Sequence, residues 1–219
     1  MLATGQSEHP ALADRLGSES AGRAHVMKLN YPDDRISAVA AKMEELMGSP
    51  LDILLHCLGP TLAKPIDETE TDELVSLLQT NAVSFQEALV SFVPLLASGT
   101  GRIVVFTVAG SDNLVSRQML PAYFAAKSAL VSLLKSWALR LAPRGITVNG
   151  LAPGLFAGEL RLDASARRRH SGFGASATKV PAGREGEWRD LEHVLGFLLS
   201  PESSYVTGNN ILVSGGYAV

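Results

Sequence analysis

The sequence predicts an α/β protein built on a doubly wound parallel sheet, because short apolar runs alternate along the chain with longer helical segments. Residues 51–55 are apolar except for Asp52, a run that is typical of a strand buried on both faces of a parallel sheet. A chain of 219 residues that is 46% hydrophobic has enough apolar side chains for one α/β domain with a full core. We therefore expect a single domain over residues 1–219.

The first half of the chain contains a predicted strand, a helix and a second strand. Residues 23–29 have the composition of a strand, and Asn30 and Tyr31 stand at its end. Pro32 and the acidic residues after it favour a helix start, and the helix is predicted to run through Met47. Gly48-Ser-Pro50 ends that helix, and the strand at residues 51–55 follows.

The second half contains two long predicted helices separated by a strand. Residues 70–96 form the first helix, with an interruption near Pro94. Residues 102–107 form the strand, and residues 122–141 form the second helix. The least regular segment is 158–179, which is rich in Ala, Ser, Gly and Arg.

Tyr123 and Lys127 are the most informative pair in the sequence. Two residues four apart on a helix lie on the same face, one turn from each other. An ammonium beside a phenol favours the phenolate and lowers the pKa of the tyrosine, so the phenol can exchange a proton with a carbonyl or alcohol oxygen. The pair follows a predicted parallel strand, where open α/β sheets place their ligands; the alternative is an exposed pair without function.

Composition excludes several classes of protein. The net charge of −3 and pI of about 6.0 give no nucleic-acid footprint, and no apolar run is long enough to span a bilayer. The first residues show no basic region followed by an apolar core, so we expect no signal peptide, and a single cysteine, Cys57, cannot form an internal disulfide. The histidines form no metal-ligand pattern. We expect a cytoplasmic protein without a metal or nucleic-acid partner.

Six segments in order resemble the motifs of the classical short-chain dehydrogenase/reductase (SDR) family, whose sheet is Rossmann-like. The similarity extends from Asp52 to Val219, although His56, Cys57 and Leu58 replace the first three residues of the family's Asn-Asn-Ala-Gly motif. The segments are Asp52-Ile-Leu-Leu-His-Cys-Leu-Gly59, Thr80-Asn81, Gly101-Arg-Ile-Val-Val, Gly145-Ile-Thr-Val-Asn-Gly-Leu-Ala-Pro-Gly154, Val180-Pro-Ala-Gly-Arg184, and Tyr205-Val-Thr-Gly208 through Gly215-Gly216.

The resemblance implies catalytic roles for three residues. Tyr123 would be the acid/base, Lys127 would lower its pKa and hold the cofactor ribose, and Asn81 would position a water in a proton relay. The family's fourth member is a serine that binds the substrate oxygen, and an ungapped alignment places Val108 there. Ser111, twelve residues before Tyr123, is the candidate replacement.

The resemblance also implies a binding site for NADP or NAD. Asn30 and Tyr31 would flank the adenine, unless they mark only a strand-to-turn transition. Gly59, Lys127 and the Pro153-Gly154 turn would contact the rest of the cofactor. Gln6 and Ser7 are neutral where an acidic residue would favour NAD, which favours NADP.

The family's first strand and its Gly-rich phosphate-binding turn have no counterpart here. Residues 1–7 resemble the family's second strand instead, so a central strand and a βα unit are missing. The first segment must pair directly with the strand at residues 51–55, borrow a strand, or stay loosely held. Because the missing turn supplies the main pyrophosphate contacts, we expect weak cofactor binding by the isolated chain.

Residues 158–179 correspond to the family's substrate lid. Its Arg167-Arg-Arg-His170 run could attract an anionic substrate such as a phosphopantetheine arm or a carrier protein, although a solvated flexible loop is the favoured interpretation.

These features leave three functional hypotheses open. The first is an oxidoreductase subunit for a carbonyl or secondary alcohol, such as a carrier-bound β-keto or β-hydroxyacyl thioester. It would work in a hetero-oligomer with a full-length sibling, or with itself, through the two long helices, as truncated partners do in aminocoumarin antibiotic biosynthesis. The second is a non-catalytic scaffold, and the third is an ordinary NADP-dependent ketoreductase whose start codon is misassigned.

Overall fold

The computed structural model describes residues 2–5, 25–113, 118–156 and 180–217 of the chain. Strands and helices alternate through these ranges, as the sequence predicts. In chain order they are β1 (Leu2–Gly5), β2 (His25–Lys28), α1 (Ile36–Leu46), β3 (Ile53–His56), α2 (Thr71–Leu78), α3 (Ser84–Phe92), β4 (Arg102–Phe106), α4 (Pro121–Leu141), β5 (Thr147–Pro153), α5 (Trp188–Leu199) and β6 (Asn210–Val213).

The strands form two parallel sheets. β1 pairs with β2, while β3, β4, β5 and β6 form a four-stranded sheet in that order. Ile53 pairs with Arg102, and Arg102 pairs in turn with Thr147, so the carboxyl ends of these strands lie along one edge. The predicted α/β fold with a parallel sheet is confirmed.

Within the described residues, no strand connects β1 to β3. Direct pairing of the first segment with β3 was one arrangement open to the sequence, and the structure does not contain it. The two sheets are instead linked through side chains, because Leu29 and Tyr31 after β2 belong to the same apolar cluster as Phe92 of α3.

Helices cover both faces of the four-stranded sheet. On one face α3 and α4 bury a cluster that includes Phe85, Leu89 and Leu130, none of which is exposed to solvent. On the other face α5 packs Leu191 and Leu198 against β4 and β5. Trp137 of α4 donates its indole N–H to Gln86 Oε1 of α3 over 2.8 Å, which ties the two long helices together.

β3 differs from the sequence prediction. Leu54 and His56 point to the helix-covered face, but Ile53 is 40% and Leu55 43% exposed on the opposite face. The prediction that this strand is buried on both faces is therefore wrong for one face. The physical reason is that α5 packs beside β4, β5 and β6 and does not extend over β3.

Two helix boundaries also differ from the prediction. The helix predicted from Pro32 begins at Ile36, because residues 31–34 form a turn in which the amide of Asp34 donates to the carbonyl of Asn30 over 3.0 Å. The helix predicted over 70–96 contains a π-helical turn, Gln79–Val83, before it becomes a 3-10 turn, Val93–Leu95, at the predicted interruption.

Candidate active site

Tyr123 and Lys127 occupy the first two turns of α4, at the carboxyl edge of the sheet. Pro121 begins the helix, where a missing N–H costs nothing and its fixed φ angle suits the first turn. Tyr123 is 7% and Lys127 3% exposed, and Lys127 Nζ lies 5.7 Å from the centre of the Tyr123 ring. The predicted pair therefore shares one buried location.

Lys127 is anchored to the end of β4. Its Nζ donates a hydrogen bond of 2.8 Å to the carbonyl oxygen of Phe106, the last residue of that strand. Burial lowers the pKa of the ammonium to about 8, and the neighbouring Cys57 opposes the shift. The ammonium is thus fixed in position while it remains predominantly charged at neutral pH.

Asn81 is presented by the π-helical turn. Its Nδ2 donates to the carbonyl of Leu77 over 3.0 Å, near the end of α2, just before the irregular turn. Its Oδ1 is buried and has no hydrogen-bond partner among the described residues. A buried acceptor without a partner is costly, so this oxygen is placed for a water, a ligand hydroxyl or another donor.

Gly59 brings Asn81 and Lys127 to one point. A Cβ atom on Gly59 would lie 2.1 Å from Asn81 Oδ1 and 3.1 Å from Lys127 Nζ. Its φ of 136° is also a conformation that other residues rarely adopt. Glycine is therefore required where the loop after β3 passes between the two polar groups.

His56, at the end of β3, is a site residue whose importance sequence reasoning missed. Its Nε2 lies 3.0 Å from Ser84 Oγ, and Ser84 donates its single hydroxyl proton to the carbonyl of Thr80 over 2.8 Å. His56 Nε2 must therefore carry the proton, and Nδ1 is left as a buried acceptor without a partner among the described residues. Burial, reinforced by the charge of Lys127, lowers the pKa of His56 to about 3, so the ring is neutral at physiological pH.

The sequence signal that could have identified His56 was its position in the segment that departs from the family's Asn-Asn-Ala-Gly motif. Cys57 follows it and is exposed to solvent. The protein surrounding its sulfur nevertheless raises the pKa of the thiol, although the charge of Lys127 opposes this shift. A protonated thiol is a poor nucleophile, so Cys57 is not placed as a reactive residue.

Ser111 has its hydroxyl engaged within the loop after β4. Ser111 Oγ donates to the carbonyl of Val108 over 2.8 Å, and its own carbonyl accepts a bond of 2.6 Å from Ser128 Oγ. Val108 packs against the cluster that contains Tyr123 and Phe124. An apolar side chain therefore lies where the resemblance places a hydroxyl, and the proposed substrate contact of Ser111 stays a prediction.

The predicted cofactor residues lie at the ends of three strands. Gly154 follows Pro153 at the end of β5, and its amide donates to the carbonyl of Val213 over 3.0 Å. A Cβ on Gly154 would come within 2.7 Å of Ser214 Cα, so this turn requires glycine for backbone packing alone. Asn30 lies after β2 in the other sheet, is exposed, and donates its Nδ2 to Asp33 Oδ2 over 3.0 Å.

The residues present fit the nicotinamide half of a dinucleotide better than its pyrophosphate. Lys127 and the unpartnered Asn81 Oδ1 lie together beside Gly59, which suits a ribose hydroxyl or an ordered water. No glycine-rich turn precedes a helix at β1 in the printed sequence. The predicted lid, residues 158–179, lies outside the described residues. Among the described helices, none is both long and apolar enough to cross a membrane.

Comparison with known proteins gives consistent matches over nearly the whole chain. A family model described as enoyl-(acyl carrier protein) reductase matches residues 3–218. The 3-oxoacyl-(acyl-carrier-protein) reductase FabG of Vibrio cholerae is 30% identical over 216 residues, which cover 98% of this chain and 84% of that relative. Galactitol 2-dehydrogenase (L-tagatose-forming) of Cereibacter sphaeroides is 34% identical over 190 residues, covering 85% of this chain and 72% of that relative.

Solved structures agree with the sequence relatives. Gluconate 5-dehydrogenase from Burkholderia cenocepacia, in complex with NADP and tartrate, superposes with a TM-score of 0.82 at 26% identity, over 98% of this chain and 84% of that one. A short-chain dehydrogenase/reductase from Serratia marcescens superposes with a TM-score of 0.83 at 25% identity, over 100% of this chain and 87% of that one.

Proposed function

Because the chain belongs to the short-chain dehydrogenase/reductase family, we propose that it is an NAD(P)-dependent oxidoreductase subunit acting on a carbonyl or a secondary alcohol. The observation that carries the proposal is the convergence of Tyr123, Lys127 and Asn81 around Gly59 at the carboxyl edge of the sheet. All three side chains are buried; Tyr123 and Lys127 come from α4 and Asn81 comes from the π-helical turn.

The chemistry assigned to these residues is proton transfer and orientation. Tyr123 gives a proton to the carbonyl oxygen during reduction and takes it back during oxidation. Lys127, held by the Phe106 carbonyl, keeps a positive charge near the phenol and favours its deprotonated form. Asn81 Oδ1 accepts a hydrogen bond from the water or hydroxyl that resupplies the proton. The bound nicotinamide would supply or accept the hydride.

The substrate class that we favour is a carrier-bound β-keto or β-hydroxyacyl thioester. The relatives named as 3-oxoacyl-(acyl-carrier-protein) reductases support this choice, and so does the basic run at residues 167–170. Galactitol 2-dehydrogenase acts on a sugar alcohol according to its name, and it makes a polyol the second candidate substrate.

We further propose that the subunit works in a hetero-oligomer with a full-length sibling, in the manner of the antibiotic-pathway partners. Apolar side chains exposed along the long helices support an interface there: Val75 of α2, Val83 of the π-helical turn, Val90 of α3 and Leu139 of α4. Without a Gly-rich turn the isolated chain should bind NADP or NAD weakly. The scaffold alternative is favoured by Val108, because the hydroxyl that would bind the substrate oxygen is absent there.

The test is turnover of acetoacetyl-CoA with NADPH by the purified chain, alone and with a co-purified sibling. If the chain contributes chemistry, Tyr123→Phe in this subunit should lower kcat by roughly two to four orders of magnitude, the usual contribution of a general acid. Unchanged turnover with unchanged assembly would instead establish the scaffold alternative. Calorimetric titration of the isolated chain measures the cofactor directly, and low-micromolar affinity would contradict the expected weak binding.

A further inference from the structure

The π-helical turn that presents Asn81 displaces one carbonyl from the helical ladder. In an α-helix the amide of Ser84 would donate to the carbonyl of Thr80, four residues earlier. Here that amide donates to the carbonyl of Gln79 instead, which closes the wider turn. The carbonyl of Thr80 is left over, and Ser84 Oγ donates to it over 2.8 Å. The hydroxyl of Ser84 is therefore a structural part of the turn.

His56 fixes the orientation of this hydroxyl from the end of β3. Its Nε2–H donates to Ser84 Oγ over 3.0 Å while the hydroxyl proton points to the Thr80 carbonyl, so the three groups form one directed chain. The ring of His56 is buried and packs edge to face on Phe85, with 5.5 Å between the ring centres. Because little water competes for a buried hydrogen bond, this contact holds the Ser84 side chain in one rotamer.

Tyr31 holds the other end of the same turn. Gln79, the first residue of the turn, donates its Nε2–H to the hydroxyl oxygen of Tyr31 over 3.1 Å. Tyr31 is buried, and its ring packs in the apolar cluster that contains Ala88 and Phe92 of α3. Because Tyr31 follows β2, this bond connects the two-stranded sheet to the turn. The turn is thus fastened at its first residue by Tyr31 and just after its last residue by His56.

The two contacts bracket the residue whose side chain reaches the candidate site. Asn81 lies between Gln79 and Ser84, and its Oδ1 lies against Gly59 on the same side as Lys127 Nζ. Closing the turn into a regular α-helix would shift the residues before it by one position relative to α3, or about 100° around the helix axis. Such a shift would turn the Asn81 side chain away from this point. The geometry of the turn therefore decides where the buried acceptor lies.

We propose that His56 and Tyr31 are positioning residues for Asn81, which hold the two ends of the π-helical turn so that Asn81 Oδ1 stays beside Gly59. Each is supplied by a different strand end and each reaches the turn through one side-chain hydrogen bond. Both act through Asn81 on the orientation of the water or hydroxyl that it binds. The effect on turnover rests on the proposed function, whereas the effect on the turn does not.

The structural test is hydrogen–deuterium exchange at the amide of Ser84, whose bond to the Gln79 carbonyl closes the turn. Tyr31→Phe keeps the ring in its cluster and removes only the hydroxyl, while His56→Leu removes the N–H and keeps an apolar side chain. Either variant should speed exchange at Ser84 by roughly tenfold or more, because local opening of the turn becomes easier. Exchange along α5 should stay unchanged and serves as the internal reference.

The matched control is Ser203→Ala, which removes a buried hydroxyl that donates to the carbonyl of Leu198 over 2.9 Å and does not touch the turn. It should leave exchange at Ser84 unchanged.

The kinetic test uses the assembly that turns over the substrate. His56→Leu should lower kcat by roughly ten- to hundredfold with little change in KM, since misplacing a group at the site has effects of this size. His56→Gln, whose side-chain amide can donate to Ser84 Oγ in place of Nε2, should restore most of the rate. When Asn81 is already alanine, His56→Leu should lower kcat little further, because both changes remove the same contribution.

Two results would overturn the proposal. Unchanged exchange at Ser84 in Tyr31→Phe and His56→Leu would show that neither residue holds the turn, and the Tyr31→Phe result decides this alone if His56→Leu does not fold. Faster exchange combined with a full further loss of kcat when Asn81 is alanine would show that the residues stabilise the helix without positioning Asn81. If the wild-type assembly has no turnover, the proposed function fails, and exchange at Ser84 by itself supports or overturns the role of the two residues.

Discussion

At the candidate active site, Val108 gives Tyr123 an apolar neighbour where, in the proposed reaction, a second hydrogen-bond donor would stabilise the developing oxyanion. The side chain packs in the same cluster as Leu120 and Phe124, so it is held close to the start of α4. A preorganised donor at an oxyanion contributes a few kcal/mol to lowering the barrier. The proposed reaction should therefore be limited by this position.

We predict that Val108→Ser or Val108→Thr raises kcat of the active complex, by roughly tenfold or more, because either variant adds a hydroxyl near the substrate oxygen. Val108→Thr keeps the branched shape and is the better matched of the two. Val108→Ala, which changes packing without adding a donor, is the control. Equal rates for all three variants would show that the hydroxyl does not reach the substrate.

His56 gives the folded state a defined sensitivity to acid. Its pKa is lowered from 6.5 to about 3 in the folded protein, so between these values the unfolded chain binds a proton that the native chain does not. The contribution of His56 to the unfolding free energy is therefore fully present above pH 6.5 and is lost as the pH falls toward 3. The loss attributable to this group is about 5 kcal/mol over that range.

We predict that His56→Asn removes this component of acid sensitivity. Carboxylates with lowered pKa values, such as Glu73, also lose stability in acid, so the useful quantity is the difference between the two proteins. Urea denaturation at intervals from pH 7 to pH 4 should show the wild type losing more unfolding free energy than the variant. Parallel curves would mean that His56 is not neutral and buried as described.

At the scale of elements, the π-helical turn Gln79–Val83 was the feature that the sequence did not predict. The spacing of Tyr123 and Lys127 predicts their shared face because the period of an α-helix is regular. One extra residue in a helical turn leaves no comparable pattern in the sequence. The sequence therefore places Asn81 within the helix predicted over residues 70–96, but it does not predict the irregular turn that positions the Asn81 side chain.

The apolar run at β3 illustrates a second limit. An apolar sequence is the same whether one or two faces of a strand are covered, because coverage is decided by helices elsewhere in the chain. The sequence therefore predicted the strand and its neighbour β4 but not the exposure of Ile53 and Leu55. Similarly, His56 could be seen as a departure from a family motif, while its bond to Ser84 required the fold.

We predict that Ser84→Ala destabilises the protein by about 1–3 kcal/mol, since it leaves the buried N–H of His56 without an acceptor. Ser136→Ala is the matched control: its hydroxyl donates to the carbonyl of Ser132 over 3.0 Å on an exposed part of α4. Chemical denaturation of both variants compares the two losses. A loss of the same size in both would assign the effect to the lost hydroxyl-to-carbonyl bond that the two serines share, and not to His56.

At the scale of the whole molecule, the proposed assembly depends on the long helices. Three valines lie along one helical rod at intervals of eight and seven residues, and each is substantially exposed: Val75, Val83 and Val90. Residues separated by about two helical turns lie on the same side of a helix. This surface is the one that a sibling or a second copy would cover.

We predict that the chain forms a dimer when purified alone or a hetero-tetramer with its sibling, and that Val90→Lys raises the dissociation constant of the assembly at least tenfold. Burial of the valine side chain stabilises the contact. A lysine in its place would lose this contribution and would have to bury a charge, so the assembly should dissociate more readily. Ile66→Lys is the control, because Ile66 is 65% exposed on a 3-10 turn that precedes α2 and is not part of either long helix. Light scattering of a folded monomer at micromolar concentration would contradict the prediction.

The bond between Trp137 and Gln86 also provides an optical signal. The sequence has only two tryptophans, and Trp188 is 60% exposed at the start of α5. The indole of Trp137 is half-buried between α3 and α4, so quenchers in solution reach Trp188 first. With Trp188 replaced by phenylalanine, the emission of Trp137 alone would follow partner docking on the helix pair, and no attached dye would be needed.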